Sequence, residues 1–163
     1  MSASGCCYTA RRTHFWRKEF QILNSSGTVC YFVKFKSFLT GKSVVVFNSE
    51  GQEVAYVQKS LSFVLPKYTI YINGDYCFTL KRKFSFMPKY VISDFYWSVE
   101  GTFGSYQYRA TDQNGKILFY IARSDMVWKK EFITIEALDN HLYALCCALA
   151  IEKAEEDNFS RHD

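Results

Sequence analysis

The sequence predicts a mainly β protein: a closed antiparallel β-barrel around a buried hydrophobic C-terminal α-helix. Three observations carry this. β-branched and aromatic residues dominate most of the chain and alternate with polar ones, the period of a half-buried strand. Turn chemistry recurs between those runs, at Asn24-Ser25-Ser26-Gly27, Asn48-Ser49-Glu50-Gly51, Asn73-Gly74 and Asn114-Gly115. Asn and Gly tolerate the positive φ that tight hairpins require. Finally, residues 135–158 contain no Gly, Pro or Val and are rich in Ala, Leu and Glu, a composition that favours helix.

The composition fits one folded domain. A length of 163 residues matches a single domain. The 15 Phe, 12 Tyr and 3 Trp bury enough apolar surface to exclude intrinsic disorder. Two Pro and eight Gly exclude collagen-like and proline-rich classes. The expected layout is a flexible N-terminus over 1–12, a barrel domain over 13–154 with its helix at about 138–153, and a polar tail over 155–163.

Several strand runs carry an aromatic and close on a basic residue: Cys30-Tyr31-Phe32-Val33-Lys34, Ala55-Tyr56-Val57-Gln58-Lys59 and Phe119-Tyr120-Ile121-Ala122-Arg123. A longer repeat matches Ser62-Phe63-Val64-Leu65-Pro66-Lys67-Tyr68 with Ser85-Phe86-Met87-Pro88-Lys89-Tyr90, its prolines 22 residues apart. Residues 36–42 form a degenerate earlier copy. A period in the low twenties indicates a hairpin-sized unit used several times. About eleven strands result, and closure removes the edges that a long meander would expose.

The helical stretch Leu142-Tyr143-Ala144-Leu145-Cys146-Cys147-Ala148-Leu149-Ala150-Ile151 has no polar face. A helix apolar all round lies inside a protein or inside lipid. At 1.5 Å per residue this run is about 15 Å long, half a hydrocarbon core, so it belongs inside the protein. Ala144, Cys146, Cys147, Ala148 and Ala150 let surrounding walls come close. Asp139 or Asn140 serves as N-cap.

These features together resemble the tubby C-terminal-like fold, and more closely the LURP-one-related family, which has bacterial YxjI-like members and the phospholipid scramblases as relatives. The resemblance rests on Lys59 to Tyr71 (KSLSFVLPKYTIY) and its echo Lys81 to Ile92 (KRKFSFMPKYVI). It rests also on Asn48-x-x-Gly51-x-x-x-Ala55-Tyr56, on Val99-Glu100-Gly101-x-Phe103 and on the terminal helix. It spans roughly residues 14 to 155. It implies a barrel of 12 strands with the helix threaded through it. Tubby domains bind phosphoinositides through basic surface residues, whereas scramblases act on membranes and bind calcium. This chain departs from the scramblase pattern: it lacks a long proline-rich N-terminal region, and Asp112-Gln113-Asn114-Gly115 is too short for a calcium loop and is a hairpin turn. LURP-one-related members are mostly without a known biochemical activity.

The charge is +4 overall, but residues 1–83 carry 12 Lys/Arg against 4 Asp/Glu while residues 84–163 carry 8 against 12. A basic half suits phosphates. The six cysteines show no Cys-x-x-Cys spacing, which argues against a zinc ribbon. With no signal-peptide pattern and no apolar run long enough to span a bilayer, a cytoplasmic protein with free thiols is expected, peripheral to membrane at most. Cys6-Cys7 before Arg11-Arg12 is a candidate S-acylated basic anchor, with a frayed terminus as the plainer reading.

No catalytic signature is present. Gly41-Lys42-Ser43 fails as a P-loop, because Lys36 stands where the first glycine belongs and a strand follows. His14, His141 and His162 lack ligand-spaced partners, so no metal or cofactor is expected, and His141 is a packing or capping residue. Glu100 and Glu136 form no catalytic carboxylate pair. The chain is expected not to be an enzyme. Its strongest functional feature is basic: Lys81, Arg82, Lys83 and Lys89, with Lys34 and Lys36 as further members. These define a binding module for anionic phospholipid headgroups, phosphoinositides in particular, at a membrane surface. The alternative is a protein-interaction or structural module, and nucleic-acid binding is a weaker third.

Overall fold

A computed structural model describes residues 6–14, 19–38, 41–60, 64–102, 107–124, 132–137 and 140–159. Six strands come first: β1 (Cys6–His14), β2 (Glu19–Leu23), β3 (Val29–Phe38), β4 (Gly41–Asn48), β5 (Glu53–Lys59) and β6 (Lys67–Ile72). Six follow: β7 (Asp75–Arg82), β8 (Lys89–Ile92), β9 (Trp97–Gly101), β10 (Gln107–Thr111), β11 (Ile117–Ser124) and β12 (Phe132–Ala137). A helix, α1 (His141–Phe159), follows β12. Each strand pairs antiparallel with its sequence neighbours and β1 pairs with β12, so the twelve strands close into a barrel.

Closure depends on β1, which lies largely in the stretch expected to be flexible. That expectation is corrected: Cys6 pairs with Ala137 of β12 and Thr9 with Leu23 of β2, so this segment is held on both sides. Its apolar signal is weak because Thr9, Arg11, Arg12 and Thr13 crowd it. Tyr8 and Ala10 nevertheless join the core, and without β1 both β2 and β12 would be open edges.

The meander sets two rims, since connections alternate between the barrel's ends. At one rim the hairpins are tight. Three of them are the same device. The side chains of Asn24, Asn48 and Asp112 each accept two backbone N–H bonds, from residues two and four further on, at 2.8–3.1 Å. A glycine three residues on (Gly27, Gly51, Gly115) takes φ near +80°. This is a local side-chain turn that glycine completes. Asn73-Gly74 makes a two-residue turn with both φ positive.

The core is the barrel's lumen. Alternate residues such as Ile22, Val33, Val46, Val57, Ile70, Leu80, Ile92 and Ile135 are buried against α1. From Ala144 to Ala154 every helix residue is buried. The helix begins at the tight-turn rim, because β12 ends there. Tyr143 lies parallel to Phe95 with ring centroids 5.6 Å apart, and Phe78 and Trp97 stand around them. The Asn140 carbonyl accepts the first helical bonds, from Tyr143 and Ala144. Asp139, the alternative cap, lies outside the described residues, as do residues 1–5, 160–163, Phe63 and Phe103. The helix also runs to Phe159 rather than to about 153, because Glu155 and Glu156, expected to open a tail, are good helix formers. No helix is long and apolar enough to cross a membrane among the described residues.

Candidate anion-binding rim

The opposite rim holds the connections β5–β6 and β7–β8, which contain the two copies of the proline repeat. Here β6 and β7 bring two lysines face to face. Lys67 is the direct cross-strand partner of Lys81. The hairpin turn at Asn73-Gly74 would by simple counting set Lys67 against Leu80. A bulge at Cys77 shifts the register by one. The bulge thus converts a lysine–leucine pairing into a lysine–lysine one. Like charges opposed across a ladder repel. Lys81 is exposed, and its neighbour on β8 is the uncharged Val91. Lys83, also exposed, follows just beyond the strand, where its N–H donates to the Lys89 carbonyl at 2.8 Å.

The other residues of the basic group are placed differently. Arg82 has the same parity as Leu80 and turns toward the lumen. Its guanidinium lies 5.1 Å from the Tyr90 ring centroid, and Nη1 donates to the Tyr90 hydroxyl at 3.2 Å. Lys89 forms an ion pair with Glu100, its cross-strand partner on β9, at 2.8 Å. Glu100 in turn faces Arg109 of β10, so alternating charges run around that part of the wall. Lys34 and Lys36 sit on β3, four strands from β7 around the barrel. Lys34 faces Glu19 on β2 and lies 5.8 Å from the Phe47 ring centroid, and Lys36 faces Ser43. The rim therefore brings together Lys67, Lys81 and Lys83. Lys67 escaped a reading along single strands, because its partner depends on a bulge. Its matching position with Lys89 in the proline repeat was the available signal.

Asp94, on the β8–β9 connection, anchors the outer face of β7. It accepts from the Tyr76 hydroxyl at 2.7 Å and from the Thr79 N–H at 3.1 Å. With its proton given to Asp94, the Tyr76 hydroxyl accepts from Thr79 at 3.2 Å. Burial pushes the Asp94 carboxyl up, but these bonds, its own backbone N–H and the charge of Lys81 outweigh it and hold it below the usual carboxylate range. Outside the barrel, Tyr56, Tyr71 and Tyr76 make an aromatic row across β5, β6 and β7.

The five cysteines whose side chains are described, Cys7, Cys30, Cys77, Cys146 and Cys147, are free thiols. Burial pushes Cys146 and Cys147 far up, so they stay protonated. Cys7 lies in the barrel wall on β1, raised by burial and by the Glu136 carboxylate. Among the described residues no three His, Cys, Asp or Glu side chains gather as a metal would require. His141 instead meets the Tyr8 ring edge-on at 5.8 Å.

A closed twelve-stranded barrel with a buried helix as its core makes this a helix-filled β-barrel protein. The family model described as LURP-one-related matches residues 7–152, and the chain belongs to that family. It is 23% identical over 137 residues to the uncharacterized protein YxjI of Bacillus subtilis (strain 168), covering 83% of each chain. Its fold is similar to the X-ray structure of a protein from Arabidopsis thaliana, with a TM-score of 0.65 and 13% identity over 93% of this chain and 91% of that one.

Proposed function

We propose that this protein is a non-catalytic module that docks on anionic phospholipid headgroups, phosphoinositides in particular, at a membrane surface. The observation that carries the reading is the Lys67–Lys81 pair, with Lys83 beside it. Two lysines at directly opposed strand positions cost the free barrel stability. A phosphate seated between them relieves that cost, and each basic residue near an anionic surface adds about 1 kcal/mol. The family and its barrel fit a binding role.

The test is vesicle cosedimentation with and without phosphoinositide, at low and high salt. Binding to the charged vesicles is expected to fall as salt rises, because exposed charges are screened. Lys67→Glu is the sharpest variant. It turns a repulsive pair into an attractive one, so thermal stability should hold or rise by about 0.2–1 kcal/mol. Vesicle binding should drop tenfold or more in the same variant. Equal binding of the wild type to neutral vesicles overturns the proposal.

A further inference from the structure

The same rim carries exposed apolar side chains. Val64, on the β5–β6 connection, is 83% exposed. On the β7–β8 connection Phe84 is 94% and Phe86 92% exposed, with Met87 beside them. Phenylalanine is ordinarily among the most buried residue types, and here each of the two connections presents an exposed apolar residue. Their bases are tied to each other and to the wall. The Arg82 N–H donates to the Pro66 carbonyl at 3.0 Å, which joins the first connection to the end of β7, where the second begins. Ser60 donates to the Lys67 carbonyl at 2.8 Å, and Gly101 donates to the Pro88 carbonyl at 2.7 Å. These are bonded loops that display an apolar tip, with lysines at the foot.

We infer that Val64 and Phe84 form a membrane-insertion tip that enters the headgroup–acyl boundary of an anionic bilayer while Lys67, Lys81 and Lys83 contact phosphates. This deepens the headgroup reading and rests on it. Two features favour a bilayer over a protein groove. The tips project rather than line a concavity, and a fluid interface accepts a projecting side chain without a matching pocket. The lysines stand at the foot of the same two connections, the arrangement of an apolar surface dipping about 5–10 Å with cations at phosphate level.

The experiment pairs two readouts on the full chain. Phe84→Trp is mixed with phosphatidylserine–phosphoinositide vesicles containing lipids brominated at known acyl depth. Separately, Phe84→Ser and Val64→Ser are assayed by vesicle cosedimentation and by binding of soluble inositol trisphosphate. The expected result is quenching of the new Trp by shallow bromines beyond that of the native Trp residues. With it should come a tenfold or greater loss of vesicle binding in the Ser variants, with inositol trisphosphate binding and thermal midpoint unchanged. Undiminished vesicle binding by the Ser variants, or a Trp that no brominated lipid quenches, overturns the tip and leaves the headgroup reading standing. If the wild type binds neither the vesicles nor inositol trisphosphate, both readings fall. If a protein partner is released by Phe84→Ser while the vesicle results are negative, the tip is a protein contact and the inference is overturned.

Discussion

Gly101 shows how one residue ties the rim to the core. A Cβ placed there would stand 2.6 Å from the Tyr108 ring and 3.1 Å from the Pro88 Cβ. Tyr108 is buried and packs against Tyr90, ring centroids 6.3 Å apart, so its ring has little room to retreat. Gly101→Ala is therefore expected to destabilise the fold by about 1–3 kcal/mol, the range for overpacking, seen as a lowered urea midpoint. A midpoint equal to that of the wild type would show that the ring moves freely. At this scale the sequence was only partly legible. It marked Pro88 as part of a repeat and Gly101 as part of the segment that carries the family resemblance, but their contact spans two strands. Arg82 was open to correct reading from parity alone, since Leu80 is a core residue and two positions reverse nothing. Lys89 was not, because its pairing with Glu100 depends on a register between β8 and β9 that no local pattern announces.

The elements were more legible than their contacts. Asn-to-Gly spacing located the hairpins because the turn is made by local bonds, and local bonds leave local signatures. The helix was legible for the opposite reason: apolar residues on every face have only one place to go in a barrel. Leu145 sits in the middle of that buried run, 1% exposed. Leu145→Ala should cost about 2–5 kcal/mol through lost burial and the cavity left behind. The readout is chemical denaturation, and a loss under 1 kcal/mol would mean that the helix is not clasped by the wall. What stayed hidden was the bulge at Cys77. A bulge has no composition signal of its own here, yet it decides which residue Lys67 faces. The candidate site was thus half visible: Lys81 and Lys83 from their basic run, Lys67 only from the register.

At the scale of the whole molecule, an up-and-down meander converts order along the chain into order around the wall. Residues 1–83 make β1 to β7, and the later residues make β8 to β12 and the helix. The basic excess of the sequence therefore lies on the β1–β7 side of the barrel, while residues 84–138, which make β8 to β12, hold 6 Lys/Arg against 6 Asp/Glu and the acidic excess falls in residues 139–163, with the helix. Such a split orients the molecule before contact, so that a basic flank meets an anionic surface first. Closure is also a whole-molecule property. Deleting residues 1–14 removes β1 and should leave β2 and β12 as unpaired edges. That variant is expected to elute as aggregate in size-exclusion chromatography. A monomeric, cooperatively melting product would show that the barrel closes without it.

The threaded helix sets a timetable for the protein's birth. All twelve strands leave the ribosome before the segment that fills them, and the seam joins Cys6 to Ala137 across nearly the whole chain. Until α1 arrives, the inner face of every strand is an apolar surface without a partner. Synthesis at about 5–20 residues per second leaves that surface open for seconds. The newborn chain must be shielded during that interval, and its fold is completed only after translation has passed the helix.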